Sequence, residues 1–277
     1  VTLDQLARLQ MLEQFYDAVP RSGARSEDFG PLTLFVREGP GWPFYARPTL
    51  GHPEVATAAD VDRVRARQRE LSIPEAFEWV HETTPGLRKA VEESGLTVHA
   101  HPLMVLADDA PAPVAARVAE SSVSVRVLGA EDPFLQAALT VPHLAFAVPG
   151  TAVGPAGPAE LAAEALARAG DGSVEQLAGR IGDGLTVVAA AVEDGVVLCA
   201  GQHNPVGGVT EIVGVGTLPS ARRRGLALAV TAALVADARA RGIGTVFLSA
   251  GDEDVARIYA RLGFRPVATA LIAEPAE

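Results

Sequence analysis

The segment Thr217-Leu-Pro-Ser-Ala-Arg-Arg-Arg-Gly-Leu-Ala227 holds the residues of this chain best suited to chemistry. It lies between Thr210-Glu-Ile-Val-Gly-Val-Gly216, which reads as a strand running into a turn, and Leu226 to Arg241, which reads as an amphipathic helix. A strand feeding an Arg/Gly turn at a helix start exposes unpaired backbone N–H groups at the positive end of the helix dipole. That is a setting for a phosphate-bearing ligand. A diphosphate needs several converging N–H donors at close approach. Gly225 lets the backbone come near and the small Ala227 avoids a clash. The amides of Arg223, Arg224, Gly225, Leu226, Ala227 and Leu228 are the expected donors. Arg222, Arg223 and Arg224 oppose the dipole when they stand alone, and a run of charge usually faces solvent. A bound phosphate resolves that placement, with the backbone and one or two of the guanidinium groups as its contacts.

Those residues need a frame. In the second half, Ser122-Val-Ser-Val-Arg-Val-Leu128 alternates as a strand and Asp132-Pro133 opens a helix. Leu144 to Val148 is a short apolar segment, and Ala159 to Ala169 is helical. Strands follow at Leu185 to Val192, Val196 to Gln202 and Thr210 to Val215. Turns at Glu193-Asp-Gly195 and Gly207-Gly208 part them, which predicts an antiparallel meander. The order then becomes helix 226–241, strand Thr245 to Ser249, helix Asp252 to Leu262 and strand Arg265 to Ile272. Leu226, Val230, Leu234 and Ala238 fall on one stripe of the first of these helices, with Arg239 and Arg241 in its last turn and Gly242 as its stop.

In the first half, residues 1–19 read as a helix with Leu6, Leu9, Leu12, Phe15 and Tyr16 on its apolar face. Leu32-Thr-Leu-Phe-Val36 reads as a strand, Ala58 to Glu70 and Pro85 to Ser94 as helices, and Thr97 to Leu106 as a strand. Asp108-Asp-Ala-Pro-Ala-Pro113 has a linker's composition. It divides the chain into domains at 1–118 and 119–277.

The composition narrows the function. With 277 residues, 48% of them hydrophobic, two domains or one large one are expected. No uninterrupted apolar run approaches the roughly 18–20 residues of a membrane span. The opening Val1-Thr-Leu-Asp-Gln lacks the basic and apolar pattern of a secretory signal, so no membrane partner is expected. The single cysteine, Cys199, rules out an intramolecular disulfide and fits a reducing cytoplasm. A net charge of −11, spread over both halves, argues against nucleic acid as a partner. It suits a cationic or amine substrate, although solubility alone explains an acidic protein.

Pro219-x-x-Arg222-Arg-Arg-Gly225-Leu-Ala227 resembles the Gln/Arg-x-x-Gly-x-Gly/Ala signature of the GCN5-related N-acetyltransferases. Val246-Phe-Leu-Ser249, Asp252 and Ile258-Tyr-Ala-Arg-Leu-Gly-Phe264 are similar to that family's fifth strand and following helix. Val125-Arg-Val-Leu, with Asp132 beyond it, is similar to its first strand and helix start. The resemblance covers roughly 122–277. It implies an α/β fold with a central, mostly antiparallel sheet flanked by helices, and acetyl-CoA as co-substrate. It also implies that the strand before the turn splays from its neighbour, so that Val215, Gly216 and Thr217 pair with the pantetheine amides.

Tyr259 falls where family members place a general acid near the CoA sulfur, and its phenol is neutral at pH 7. Glu211 matches a position where some members keep a general base. Either residue also has a plain structural use, the tyrosine as core and the glutamate as solvated surface. The implied reaction is N-acetyl transfer by direct attack of an amine on acetyl-CoA in a ternary complex, since no activated Ser or Cys nucleophile is visible. The acceptor, a small-molecule amine or a peptide amine, is left open, as is the oligomeric state. The alternative is a module of the same fold that binds or senses acyl-CoA without catalysis.

Residues 57–106 carry a faint echo of the second half, and tandem members of the family exist. Arg63, Arg65, Arg67 and Arg69 lie on one helix, Phe77 and Trp79 follow, and a helix ending at Gly95 leads into a strand. The Arg-x-x-Gly-x-Ala turn is missing there. The expectation is a degenerate, non-catalytic acetyltransferase-like domain that covers a sheet edge or shapes the substrate pocket of the other. Trp42, Phe44 and Tyr45 serve either a substrate pocket or turn packing. His99-x-His101 lacks a third ligand nearby, so no metal is expected. Cys199, mid-strand among apolar residues, is expected to be buried and inert.

Overall fold

The computed structural model describes residues 3–110 and 122–276. The chain divides into two compact units, one of residues 1–103, 250–252 and 266–277, the other of residues 104–249 and 253–265. The sequence boundary at 118/119 lies outside the described residues.

The first unit opens with α1 (Leu3–Arg21), β1 (Ala24–Asp28), β2 (Leu32–Arg37) and β3 (Ala46–Pro48). It continues through α2 (Ala58–Glu70), β4 (Phe77–Val80), α3 (Leu87–Glu93) and most of β5 (Leu96–Leu106). Leu9, Leu12, Phe15 and Tyr16 of α1 are buried as their spacing predicts, whereas Leu6 is exposed. β1 pairs antiparallel with β2, β2 antiparallel with β3, and β3 parallel with β4 at Ala46 and Phe77. The polar run Ala-Arg-Ser-Glu-Asp of β1 gave no strand signal, because an edge strand with mostly exposed side chains needs no apolar alternation. Alternate residues of the strands, Leu32, Leu34, Val36, Phe77 and Trp79, form one core with Val61 and Val64 of α2 and Leu87 and Val91 of α3.

The second unit contains β6 (Ser124–Leu128), α4 (Leu135–Phe146), α5 (Pro158–Ala167), α6 (Ser173–Gly182), β7 (Val187–Glu193), β8 (Val196–Val206) and β9 (Val209–Thr217). α7 (Leu226–Ala240), β10 (Thr245–Ser249), α8 (Glu253–Ala260) and β11 (Phe264–Pro275) follow, with β11 passing into the first unit at Pro266. There Leu271 of β11 pairs antiparallel with Trp79. In the second unit β6, β7, β8 and β9 form an antiparallel meander, and β10 joins β9 in parallel after the α7 crossover. Both units are therefore mixed, mostly antiparallel sheets flanked by helices.

The apolar stripe of α7 is buried as its spacing predicts: Leu226, Val230, Leu234 and Ala238 are all in the core. Two elements of the second unit differ from the sequence reading. α4 runs on through Pro142 to Phe146 and absorbs part of the segment that the sequence sets apart at 144–148. Proline costs the helix only the bond to the carbonyl of Ala138, and packing on β8 and β9 holds the rest. α6 gave no helical signal because Gly170, Gly172, Gly179, Gly182 and Gly184 crowd its sequence. Its start is fixed by Asp171, whose Oδ1 accepts the amide of Ser173 at 2.8 Å.

A buried polar chain ties β8, β9 and α7 together. His203 is wholly buried. Its Nδ1 lies 2.9 Å from Thr210 Oγ1 and its Nε2 lies 3.0 Å from Asp237 Oδ2, and Asp237 also pairs with Arg241. Burial lowers the imidazole pKa below its ordinary 6.5, against the opposing pull of Asp237. The unfolded chain therefore takes up this proton first as pH falls below about 6.5, and stability drops. Urea unfolding midpoints are expected to be lower at pH 5.5 than at pH 7.5, with a smaller difference in His203→Gln. An equal difference in the variant would show that His203 contributes nothing to it.

Candidate functional site

The parallel pairing of β10 with β9 covers Val209, Thr210 and Glu211 and ends at the pair Glu211–Phe247. Among the described residues no further pair follows, while β9 stays paired to β8 as far as Thr217. One edge of β9 is thus open from Val213 to Thr217. A bulge accompanies the opening. Gln202 faces Val213 and Ala200 faces Gly216, so Gly214 and Val215 together stand opposite Gly201. Gly214 takes the left-handed φ of +64° that such a kink requires. An isolated glycine within an apolar strand is the sequence signal of a bulge. Gly201 makes room for the bulge, since a Cβ there would stand 2.8 Å from Val215 Cγ2.

α4 backs the open strand. A Cβ on Gly216 would stand 2.8 Å from Pro142 Cα and 3.0 Å from Ala145 Cβ. Gly216→Val is therefore expected to destabilise the protein by about 1–3 kcal/mol. A denaturant midpoint equal to that of the parent would show that α4 yields freely.

The turn after β9 begins with Leu218, whose amide donates to the Leu198 carbonyl at 2.8 Å, and a single 3-10 turn at Pro219–Ala221. Arg223 and Gly225 then adopt left-handed φ values of +66° and +78°. The first bond into α7 runs from Ala229 N to Gly225 O at 3.1 Å, and Gly225 offers no side-chain cap. Among the described residues the amides of Arg223, Arg224, Gly225, Leu226, Ala227 and Leu228 have no acceptor. They form a run of donors at the positive end of a 15-residue helix.

The three arginines divide their work. Arg222 Nη2 donates to the carbonyls of Ala145 at 2.8 Å and Val148 at 2.7 Å, and Nη1 to that of Ala152 at 3.1 Å. Partial burial lowers its pKa. Arg224 forms a two-pronged pair with Glu193 at 2.9 and 2.7 Å, which holds the Glu193 carboxyl below its usual range. Arg223 is exposed and reaches Thr151 Oγ1 at 3.4 Å. Its guanidinium is the one not committed to a carboxylate or a set of carbonyls. The sequence placed the arginines at the turn but did not signal the partners of Arg222 and Arg224, which lie 31 to 77 residues away.

Tyr259 is buried on α8, with its ring edge-on to Phe264 at 6.2 Å between centroids. Burial raises its pKa above the ordinary value near 10, and the neighbouring Cys199 adds to the rise. Its hydroxyl has no intramolecular partner among the described residues. Cys199 is fully buried and its thiol is pushed up to about 12, so it is the inert thiol expected. Thr217 Oγ1 lies 3.3 Å from Cys199 Sγ. Thr217 and Cys199 therefore meet at the end of the open strand, and Tyr259 lies near enough to Cys199 for their charges to interact. Glu211 is half-buried at the closed end of the gap, opposite Asn204 on β8 and Phe247 on β10. The register separates it from Thr217 by six strand positions, so it does not join Tyr259 at the same point.

The corresponding turn of the first unit is already filled. The amide of Thr57 donates to Asp60 Oδ2 at 2.8 Å, and Asp60 N donates back to Thr57 Oγ1 at 3.3 Å, a capping box at the start of α2. The helix start is capped by side chains of the chain itself. Trp42 is 55% exposed, and Phe44 packs under the Arg37 guanidinium at 4.1 Å, which is the turn-packing reading of that aromatic cluster. Among the described residues no cluster of three or more metal-binding side chains occurs, and no helix is long and apolar enough to cross a membrane.

Residues 188–272 match the family described as FR47-like protein. No curated protein matches the chain. Among solved structures, a GCN5-related N-acetyltransferase from Kribbella flavida is 24% identical over 97% of this chain and 96% of that one, with a TM-score of 0.66. A GCN5-related N-acetyltransferase-like protein from Streptococcus suis is 14% identical over 98% and 97%, with a TM-score of 0.57. A tandem GNAT protein of the clavulanic acid biosynthesis pathway is 16% identical over 89% and 79%, with a TM-score of 0.53. The open strand, its bulge and the amide-rich turn thus lie within the FR47-like segment of a chain that has the fold of the GCN5-related N-acetyltransferases.

Proposed function

We propose that the second unit is an acyl-CoA-dependent N-acetyltransferase that moves an acetyl group from acetyl-CoA to an amine by direct attack. The carrying observation is the run of amides without acceptors from Arg223 to Leu228, which follows the open edge of β9 across one tight turn. That arrangement fits a diphosphate joined to an extended amide-bearing chain, which is the chemistry of coenzyme A. Acetyl-CoA supplies an acyl group activated as a thioester. The amides of the turn, helped by Arg223, hold its phosphates, and Val215, Gly216 and Thr217 orient its arm. Leu226, Ala227 and Leu228 contribute donors from the first turn of α7.

Two proton transfers fall to side chains. Glu211 takes the proton of the acceptor ammonium through water, which frees the lone pair that attacks the acyl carbon. Tyr259, kept neutral by burial, gives its proton to the sulfur as the carbon–sulfur bond breaks, and recovers one through water from the acylated nitrogen, which must shed it to become a neutral amide. The products are an N-acetyl amide and free CoA thiol. The first unit acts as a non-catalytic partner domain, since its helix start holds Asp60 in place of a phosphate.

Calorimetry with acetyl-CoA, followed by a CoA-release assay over a panel of small amines and peptide amines, tests the reading. Binding together with release of CoA supports it. Binding without release from any amine would favour an acyl-CoA sensor of the same fold, and no binding at millimolar acetyl-CoA would end both.

A further inference from the structure

The connection between α4 and α5, residues 147–157, lies against the amide turn within the second unit. Gly154 N donates to the Pro219 carbonyl at 3.0 Å and Ser220 N to the Ala156 carbonyl at 2.9 Å. The fit is close. A Cβ on Gly154 would stand 3.0 Å from Pro219 Cβ, and one on Gly157 would stand 2.7 Å from Ser220 Oγ. Arg222 fastens this connection with one guanidinium on three carbonyls, those of Ala145, Val148 and Ala152. Ala145 lies in the last turn of α4, where a cation suits the negative end of the dipole. The backbone of Arg222 leads without interruption into the six amides of the turn. α4 itself rests on Gly216 of β9.

We infer that Arg222 is a positioning residue that couples occupancy of the amide turn to the order of residues 147–157 and of the carboxyl end of α4. The inference rests on the acyl-CoA reading of the turn. A ligand that fixes the backbone at 223–228 fixes Arg222, and the planar fork of Arg222 then holds two carbonyls of the connection and one of α4 at once. The wall beside the open strand is thereby set by the co-substrate before the acceptor arrives. Lysine is a point charge on a flexible stem and does not span three carbonyls, so Arg222→Lys weakens the coupling in part. Arg222→Gln removes it.

Amide hydrogen exchange on the full chain, with and without saturating acetyl-CoA, tests this. In the parent protein acetyl-CoA is expected to slow exchange about tenfold or more both at 223–228 and at 147–157. In Arg222→Gln the slowing at 223–228 persists while that at 147–157 is lost, and Arg222→Lys lies between. A purely structural role for Arg222 would speed exchange in the free protein and leave the ligand-dependent slowing intact, which overturns the coupling. Slowing at 223–228 without any at 147–157 in the parent overturns the coupling alone. No slowing at 223–228 in the parent overturns the acyl-CoA reading on which it rests. Where Arg222→Gln fails to fold, the comparison is made with Arg222→Lys, and undiminished slowing at 147–157 in that variant again overturns the coupling.

Discussion

Tyr259→Phe is expected to lower kcat by about 10²–10⁴ while leaving acetyl-CoA affinity within about threefold. The substitution removes only the hydroxyl. The ring keeps its edge-on contact with Phe264 and its buried seat on α8, so packing changes little. On the proposed mechanism, what is lost is the proton donor to the departing sulfur. The raised pKa of the phenol keeps the donor protonated throughout the neutral range. The activity profile is therefore expected to show no loss attributable to Tyr259 below pH 10. Steady-state kinetics paired with calorimetry separates the two quantities. An unchanged kcat would remove Tyr259 from the chemistry and make it a core residue.

Much of this site was legible because its signals are local. Gly225 and the arginines beside it announce a turn at a helix start, and the stripe Leu226, Val230, Leu234 and Ala238 fixes the helix that follows. The meander of β7, β8 and β9 was legible from glycine turns and apolar runs. What stayed hidden depends on residues far apart in sequence. Nothing near Arg222 indicates that its guanidinium caps α4, and nothing near Arg224 indicates Glu193 as its partner. The bulge was hidden for a different reason. Gly214 and Gly216 look alike in the sequence, yet one glycine kinks the strand and the other admits a helix. The last hidden element was the exchange of β11, whose continuation past Pro266 belongs to the first unit although the helix before it belongs to the second. Hydrophobic period marks a strand but does not name its partner.

Gly225→Val tests whether the amide turn is what holds acyl-CoA in the proposed function. Gly225 has φ +78° and ψ 10°, a left-handed conformation that costs an ordinary residue about 1–2 kcal/mol. A Cβ at this position meets nothing within 4 Å, so the folded protein has room for the new side chain. In a turn built around these amides, that room is where their ligand approaches, so valine stands in its way. Losing two charge-assisted bonds at roughly 1.5–3 kcal/mol each weakens acetyl-CoA binding by about 100-fold or more.

The control must carry the same backbone strain without the same place. Gly242, at the other end of α7, has φ +74° and likewise no atom within 4 Å of an added Cβ. Gly242→Val is therefore expected to lower Tm by a similar few degrees and to leave acetyl-CoA affinity near that of the parent. Calorimetry on the pair gives the answer. Equal affinities in the two variants would mean that the amides of Arg223 to Leu228 do not hold the phosphates, because strain is matched and only position differs.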